Sequence, residues 1–197
     1  MSLIFIKSDM CQKKVLLHCC CAPCSAAILE WMLANGVQPV LYYCNPNIFP
    51  ADEYRIRRDE ITRYAGKLAI EIIEDDYDHE AWLREVKGLE EEPERGGRCL
   101  QCFKMRLVRA ARKAAELGIE EFTTTLASSR WKNLDQINEA GRWAADRVNA
   151  EGHWPQPVHF DDRNWRKGGL QVRRGELLKE NGFYNQQYCG CEFSVRK

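Results

Sequence analysis

Short apolar runs alternate with longer stretches of helical periodicity along this chain, and no other pattern in it restricts the fold as much. Residues 14–18 form an apolar run that ends in cysteines, as a buried strand does. Residues 25–34 then carry Ala26, Ala27, Ile28, Leu29, Met32 and Leu33 at helical spacing, and Asn35-Gly36 stops them. Residues 37–43 read as a second strand. A strand–helix–strand unit of this length makes a right-handed parallel pair. The theme repeats: a helix over 52–64 ended at Gly66, a strand over 68–73, a helix over 99–117 closed by Gly118, a strand over 121–126, and helices over 133–149 and 169–181. Such alternation predicts an α/β domain with a parallel sheet. With 197 residues, no internal repeat and no low-complexity linker, a single domain spanning the chain is the simplest arrangement.

Composition sets the broad class. The chain is 45% hydrophobic and 29% charged, which fits a globular core and excludes a largely disordered protein. No apolar run reaches the roughly 18 residues of a membrane helix, and the alternating stretch over 1–14 lacks a signal-peptide core, so the expected location is the cytoplasm. The 29 basic and 29 acidic side chains cancel, yet they are unevenly placed. Eleven acids fall within 71–94 against only Arg84 and Lys87, whereas 98–113 holds six bases and no acid. A second basic stretch runs over 163–174. Solvated helix faces are the plain account of any one such run. Two basic stretches that each neighbour a cysteine motif point instead to a polyanion meeting a reactive site.

Ten cysteines are too few for a disulfide scaffold, and nine of them lie in or beside motifs, Cys11 being the exception. His18-Cys19-Cys20-Cys21-Ala22-Pro23-Cys24 sits at a strand-to-helix junction, where free N–H groups and the helix dipole stabilise thiolate. Pro23 suits a first helical turn. In a regular strand Cys20 and Cys21 would face opposite ways, so both serve one metal only if the chain turns between them. Arg98-Cys99-Leu100-Gln101-Cys102 has a two-residue gap that lets both sulfurs approach one metal; with Cys20 and Cys21 it completes a four-thiolate set suited to zinc or an iron–sulfur cluster. Tyr188-Cys189-Gly190-Cys191 either cycles between dithiol and a strained, labile disulfide or adds two metal ligands. The loop from Asn45 to Pro50, with Glu53, Tyr54 and Arg57, follows a strand's C-terminal end, as does the stretch from Thr123 to Lys132; α/β sheets place ligand loops there. His18, His153 and His159 read as structural.

These motifs, taken in order, resemble the QueH-type epoxyqueuosine reductases, the cobalamin-independent enzymes that finish queuosine biosynthesis in tRNA. The resemblance rests on Leu17-His18 through Cys24, Asn45 to Pro50 with Glu53-Tyr54, Arg98-Cys99 with Cys102, Phe122 to Trp131-Lys132, Asn164 to Gly169, and Tyr188 to Cys191 with Ser194. It implies a three-layer, Rossmann-like (HUP-type) parallel sheet flanked by helices, with a cysteine-bearing C-terminal extension. It implies reductive deoxygenation of epoxyqueuosine in the anticodon loop by an oxidoreductase. It also implies a [4Fe-4S] cluster on Cys20, Cys21, Cys99 and Cys102, and a redox-active pair formed by Cys189 and Cys191. A second, mononuclear iron with a carboxylate ligand is a further implication, with Asp78 as the first residue to consider. The chain departs from the family pattern in its third consecutive cysteine, Cys19; the register from Pro23-Cys24 favours Cys20 and Cys21. Arg106, Arg109, Arg112, Arg166, Lys167, Arg173 and Arg174 are the expected tRNA contacts, and Trp131, Trp165 and Tyr188 the expected stacking partners. His18, Tyr54 and Glu53 are proton-donor candidates, and the electron donor is a separate, unidentified partner. Two rival readings are a thioredoxin-like oxidoreductase built on Cys21-Ala22-Pro23-Cys24 and a zinc-stabilised RNA-binding module.

Overall fold

A computed structural model of the chain describes residues 13–194. Cys11 and most of the alternating stretch over 1–14 lie outside them. The central strand β1 (Lys13–Cys19) is an apolar run because its last five residues are buried; a strand covered on both faces has no solvent side for polar residues. β2 (Val37–Tyr43) pairs with it in parallel over seven residues, and β4 (Glu121–Thr124) pairs with its other edge. β3 (Ile72–Glu74) and β5 (His159–Phe160) complete an all-parallel sheet of order β3-β2-β1-β4-β5.

Six helices flank the sheet. α1 (Ala22–Ala34) packs against α2 (Ala51–Lys67) and α6 (Leu170–Glu180); α4 (Gly97–Glu116) packs against α3 (His79–Glu85) and α5 (Leu134–Asn149). Connections run from β1 outward through β2 to β3, then back across to β4 and outward to β5. Right-handed crossovers in opposite directions put the two helical groups on opposite faces. They also make the C-terminal edge of β1 and β4 the point where strand order reverses, which is where open α/β sheets bind ligands. None of the described helices is long and apolar enough to cross a membrane.

The expected elements appear with shifted ends. α2 runs through Gly66, and the chain reverses only at Ala69, which takes a left-handed φ of 52°. Ile70 N–H bonds Ala65 O and Ala69 N–H bonds Gly66 O, a helix-ending motif in which glycine usually holds the turning position. The third strand is correspondingly shorter than 68–73. Strand β4 stops at Thr124 and the chain enters a single 3-10 turn, Thr125–Ser128. α3 and β5 are additions. α5 approaches β5 so closely that a Cβ on Gly141 would sit 2.3 Å from the Phe160 ring.

Candidate functional site

The turn after β1 brings three sulfurs together. Cys19 still follows the strand alternation: it is fully buried, its thiol donates to Tyr42 O at 3.5 Å, and burial pushes its pKa well up. It is a core residue. The chain bends at Cys20, Cys21 becomes the N-cap of α1, and Pro23 occupies the first turn. Cys20 and Cys21 therefore converge, with sulfurs 3.8 Å apart, and the Cys24 sulfur joins them within 4.8 Å. Thr125 ties this turn to the end of β4, accepting from Cys20 N–H at 3.2 Å and donating to its sulfur at 3.5 Å.

A buried network fixes the frame beneath. His18 Nε2 donates to Cys44 O at 3.0 Å, so Nδ1 accepts from Thr124 Oγ1 at 2.8 Å. Burial, and then the nearby Arg106 charge, lowers the His18 pKa to about 3, so the ring is neutral. Arg106 donates to Cys44 O and to Asn45 Oδ1, and Asn45 Nδ2 donates to Cys19 O at 2.9 Å. The loops after β1 and β2 are thus locked to α4. Cys44 donates to Asp75 Oδ2 at 3.0 Å and faces away from the thiols.

Cys99 and Cys102 lie in the first two turns of α4. Cys99 accepts from Arg95 N–H at 3.3 Å, and burial raises its pKa. Cys102 is buried beside Trp82 and Cys191. The opposite wall is the segment that follows α6, here called the arm. Arg57, paired with Glu53 inside the protein, donates to Cys189 O and Tyr188 O, each at 3.2 Å. Tyr184 hydroxyl donates to Glu53 at 2.9 Å, Phe49 N–H to Gly190 O at 2.8 Å, and Tyr188 hydroxyl to Phe49 O. His79 bridges Pro46 O and Glu192, while Phe193 stacks on Trp82 under Arg98. Gly190 has a φ of +104°, and a Cβ there would meet Ile48 at 2.8 Å and Arg57 at 3.1 Å, so any side chain is strained and forces a neighbour to shift. Both arm cysteines are free thiols. The Cys191 thiol and the Lys132 ammonium draw the Cys189 pKa well down against the opposing effect of burial, and Cys191 is pushed up in return.

These walls enclose a cavity of about 410 Å³ lined by Cys20, Cys24, Cys99, Cys102, Cys189 and Cys191. Cys21 adjoins it behind Cys20 and accepts from Gln186 Nε2 at 3.0 Å. Hydrogen bonds from Cys21 and Cys24 draw the Cys20 pKa down and push that of Cys21 up. Seven bases line the cavity (Arg57, Arg95, Arg98, Arg106, Arg130, Lys132 and Arg174) against one acid, Glu94. Four cavity residues carry a buried polar atom without a partner: Asn47 Oδ1, Trp82 Nε1, Arg98 Nε and Gln186 Oε1. Unsatisfied buried groups are costly, and this concentration marks a place for a ligand. Clustered thiols amid excess positive charge suit a thiophilic metal centre of net negative charge, so the residues fit a metal or metal cluster.

Several expected residues stand elsewhere. Asp78 caps α3 by accepting from Ala81 N–H and lines a separate groove with Asp75 and Asp76, so it is no ligand in the thiol cavity. His18 is neutral beneath the cavity, Tyr54 donates to Glu74, and Glu53 is held by Arg57 and Tyr184, so none of the three faces a substrate. Trp165 is 1% exposed and packs edge-on against Trp31, which rules it out as a base platform. Arg106 is 3% exposed and belongs to the frame rather than to an open surface. Arg109 pairs with Asp75, Arg112 with Glu151, and Arg173 with Glu30, Glu176 and Glu180. Arg166 donates to Lys132 O and Lys167 is exposed. Arg174, Trp131 and Tyr188 do line the cavity, as do Arg130 and Lys132. Gln186 carries no motif and was invisible to sequence reasoning. Arg57 lay in a noted stretch, but its grip on Cys189 spans 132 residues.

A family model described as epoxyqueuosine reductase QueH matches residues 15–197. Proteins named epoxyqueuosine reductase QueH from Acinetobacter baylyi and Histophilus somni are each 46% identical over 93% of this chain, covering 81% and 72% of their own lengths. One of the same name from Thermotoga maritima is 34% identical over 92% of this chain and 90% of its own. With the ordered cysteine motifs meeting at one cavity, these matches leave a single assignment: the chain belongs to the epoxyqueuosine reductase QueH family of oxidoreductases.

Proposed function

We propose that this protein removes the epoxide oxygen of epoxyqueuosine in the tRNA anticodon loop, giving queuosine and water. Cys20, Cys21, Cys99 and Cys102 would hold a [4Fe-4S] cluster, and Cys189 and Cys191 form the reducing pair. The observation that carries this reading is the meeting of six thiols, from three distant parts of the chain, around one basic cavity at the strand-order reversal. The bound cluster supplies one-electron transfer and a Lewis-acidic iron. The overall step balances on the protein's own thiols: the dithiol becomes a disulfide, its two electrons and two protons convert the epoxide to an alkene, and the oxygen leaves as water. An external reductant then restores the dithiol. Lys132, whose Nζ has no hydrogen-bond or ion-pair partner among the described residues, holds a proton there inside the cavity. The neighbouring Cys189, Cys20 and Cys24 sulfurs outweigh burial and raise its pKa.

The mouth suits RNA. Trp131 is 71% exposed, and Arg130, Lys132 and Arg174 line the cavity beside it. An exposed indole amid cations fits a loop base that splays out and stacks while its phosphates are neutralised. A tRNA substrate and free thiols both suit the cytoplasm. Asp78 is not offered as an iron ligand.

The test is anaerobic purification with measurement of iron, zinc and acid-labile sulfide, followed by turnover. Iron and sulfide in equal amounts, with Cys189→Ser keeping both and losing turnover, is the expected result. Zinc without sulfide would favour the RNA-binding rival. Full turnover by Cys189→Ser would remove the arm thiols from the reaction. A colourless protein that reduces general disulfides would favour the thioredoxin-like rival, on whose behalf no observation here speaks.

A further inference from the structure

Gln186 lies on the arm three positions before Cys189, yet its amide reaches the other wall. Nε2 is 3.0 Å from Cys21 Sγ and 3.9 Å from Cys24 Sγ. An amide donates only through nitrogen, so with Nε2 on the sulfur Oε1 is turned the other way, where it is buried without a partner. Cys21 itself adjoins Cys20 at 3.8 Å. The main interaction across the cavity between the reducing arm and the α1 thiols is therefore one N–H···S hydrogen bond. Hydrogen bonds to a metal-bound sulfur withdraw electron density from it, which stabilises the reduced centre and raises its potential.

We propose that Gln186 is a positioning residue that tunes the metal centre: its amide N–H donates to the Cys21 sulfur and sets the reduction potential of the group that sulfur binds. This rests on the ligand set proposed above. It also couples the two redox elements. Gln186 and the Cys189–Cys191 pair share the arm, so any movement of the arm moves the donor on Cys21. Docked arm and easily reduced centre go together.

Two variants test this. Gln186→Met keeps the side chain's length and removes the donor; Gln186→Glu replaces the donor with an acceptor facing the sulfur. Both are purified anaerobically, and folding is checked by thermal melting. Iron per chain and the midpoint potential of the visible absorption band are then measured. The expected order of potentials is wild type highest, Gln186→Met lower and Gln186→Glu lowest, with iron unchanged in Gln186→Met. A wild-type potential in a fully loaded Gln186→Met protein overturns the proposal. Loss of iron from both folded variants also overturns it, since the residue would then assemble the site rather than tune it. Cys21→Ser separates this from failure of the ligand assignment: if that variant keeps its iron and wild-type potential, Cys21 is not a ligand and the reading under Proposed function is what fails.

Discussion

The two walls of the thiol cavity are built on different principles. Cys20 and Cys21 form the turn between a central strand and helix α1, and Cys99 and Cys102 lie at the start of a 20-residue helix. Their frame is the core itself, through Leu16, Leu17 and the His18–Thr124–Cys44–Arg106 network. Cys189 and Cys191 sit on an arm whose only regular piece among the described residues is one 3-10 turn, Glu192–Ser194. The arm is held by a few polar tethers from Arg57, His79 and the loop after β2. Sulfurs that hold a metal must keep their positions, and burial in a packed core enforces that. Sulfurs that exchange electrons must change bonding partners. A wall secured by separable contacts permits this without disturbing the sheet.

The largest expected effect breaks this comparison most directly. Cys102→Ser should reduce bound iron to background, with a loss of metal affinity exceeding the roughly 10- to 100-fold seen when only an outer partner is removed. Cys191→Ser, on the other wall, should retain iron and lose turnover. Iron and sulfide per chain after anaerobic reconstitution provide the measurement. If Cys191→Ser strips the iron too, the walls share one task and the division between them is wrong.

Next comes Arg57→Met. Arg57 is 2% exposed and its partner Glu53 8%. Removing the guanidinium leaves a buried carboxylate and unties the Tyr188 and Cys189 carbonyls, at a cost of about 3 kcal/mol. Chemical denaturation should show that loss, and limited proteolysis should cut within 184–194 before the core opens. Equal protection of arm and core in this variant would mean the arm does not depend on the tether.

How much of this was legible in the sequence differs between the walls for the same reason. The strand–helix–strand opening was readable because β1 is buried on both faces, which forces an unbroken apolar run. Gly118 and Gly182 mark real helix ends with left-handed φ values of 65° and 60°. Gly66 misleads because Ala69, three residues further on, takes the turning position that glycine usually holds. α3, seven residues long and amid acids, and β5, two residues long, have too little periodicity to announce themselves. The cysteine motifs carried the site, because sulfur at fixed spacing has few other uses. The charge pattern did not: Arg109 and Arg112 are paired with acids brought near only by folding, as Arg173 is with Glu30, while Arg130 and Lys132, flanking the exposed Trp131, belong to no basic run. The arm's tethers join residues more than a hundred positions apart and leave no local trace.

The smallest effect, from Gly190→Ala, probes how tightly the arm is seated. Gly190 O accepts from Phe49 N–H, and its φ of +104° disfavours any side chain. The added methyl would press on Ile48 at 2.8 Å, inside the loop after β2, and on the Arg57 guanidinium at 3.1 Å. Backbone strain and this contact together should cost about 1–2 kcal/mol. The arm can relieve part of it by lifting, so turnover should fall several-fold while iron content stays at the wild-type value. Thermal melting beside single-turnover rates distinguishes the possibilities. Wild-type melting with wild-type turnover would mean the arm is seated more loosely than its contacts imply. A loss as large as that of Arg57→Met would mean Ile48 and Arg57 cannot yield, and that the arm is part of the core after all.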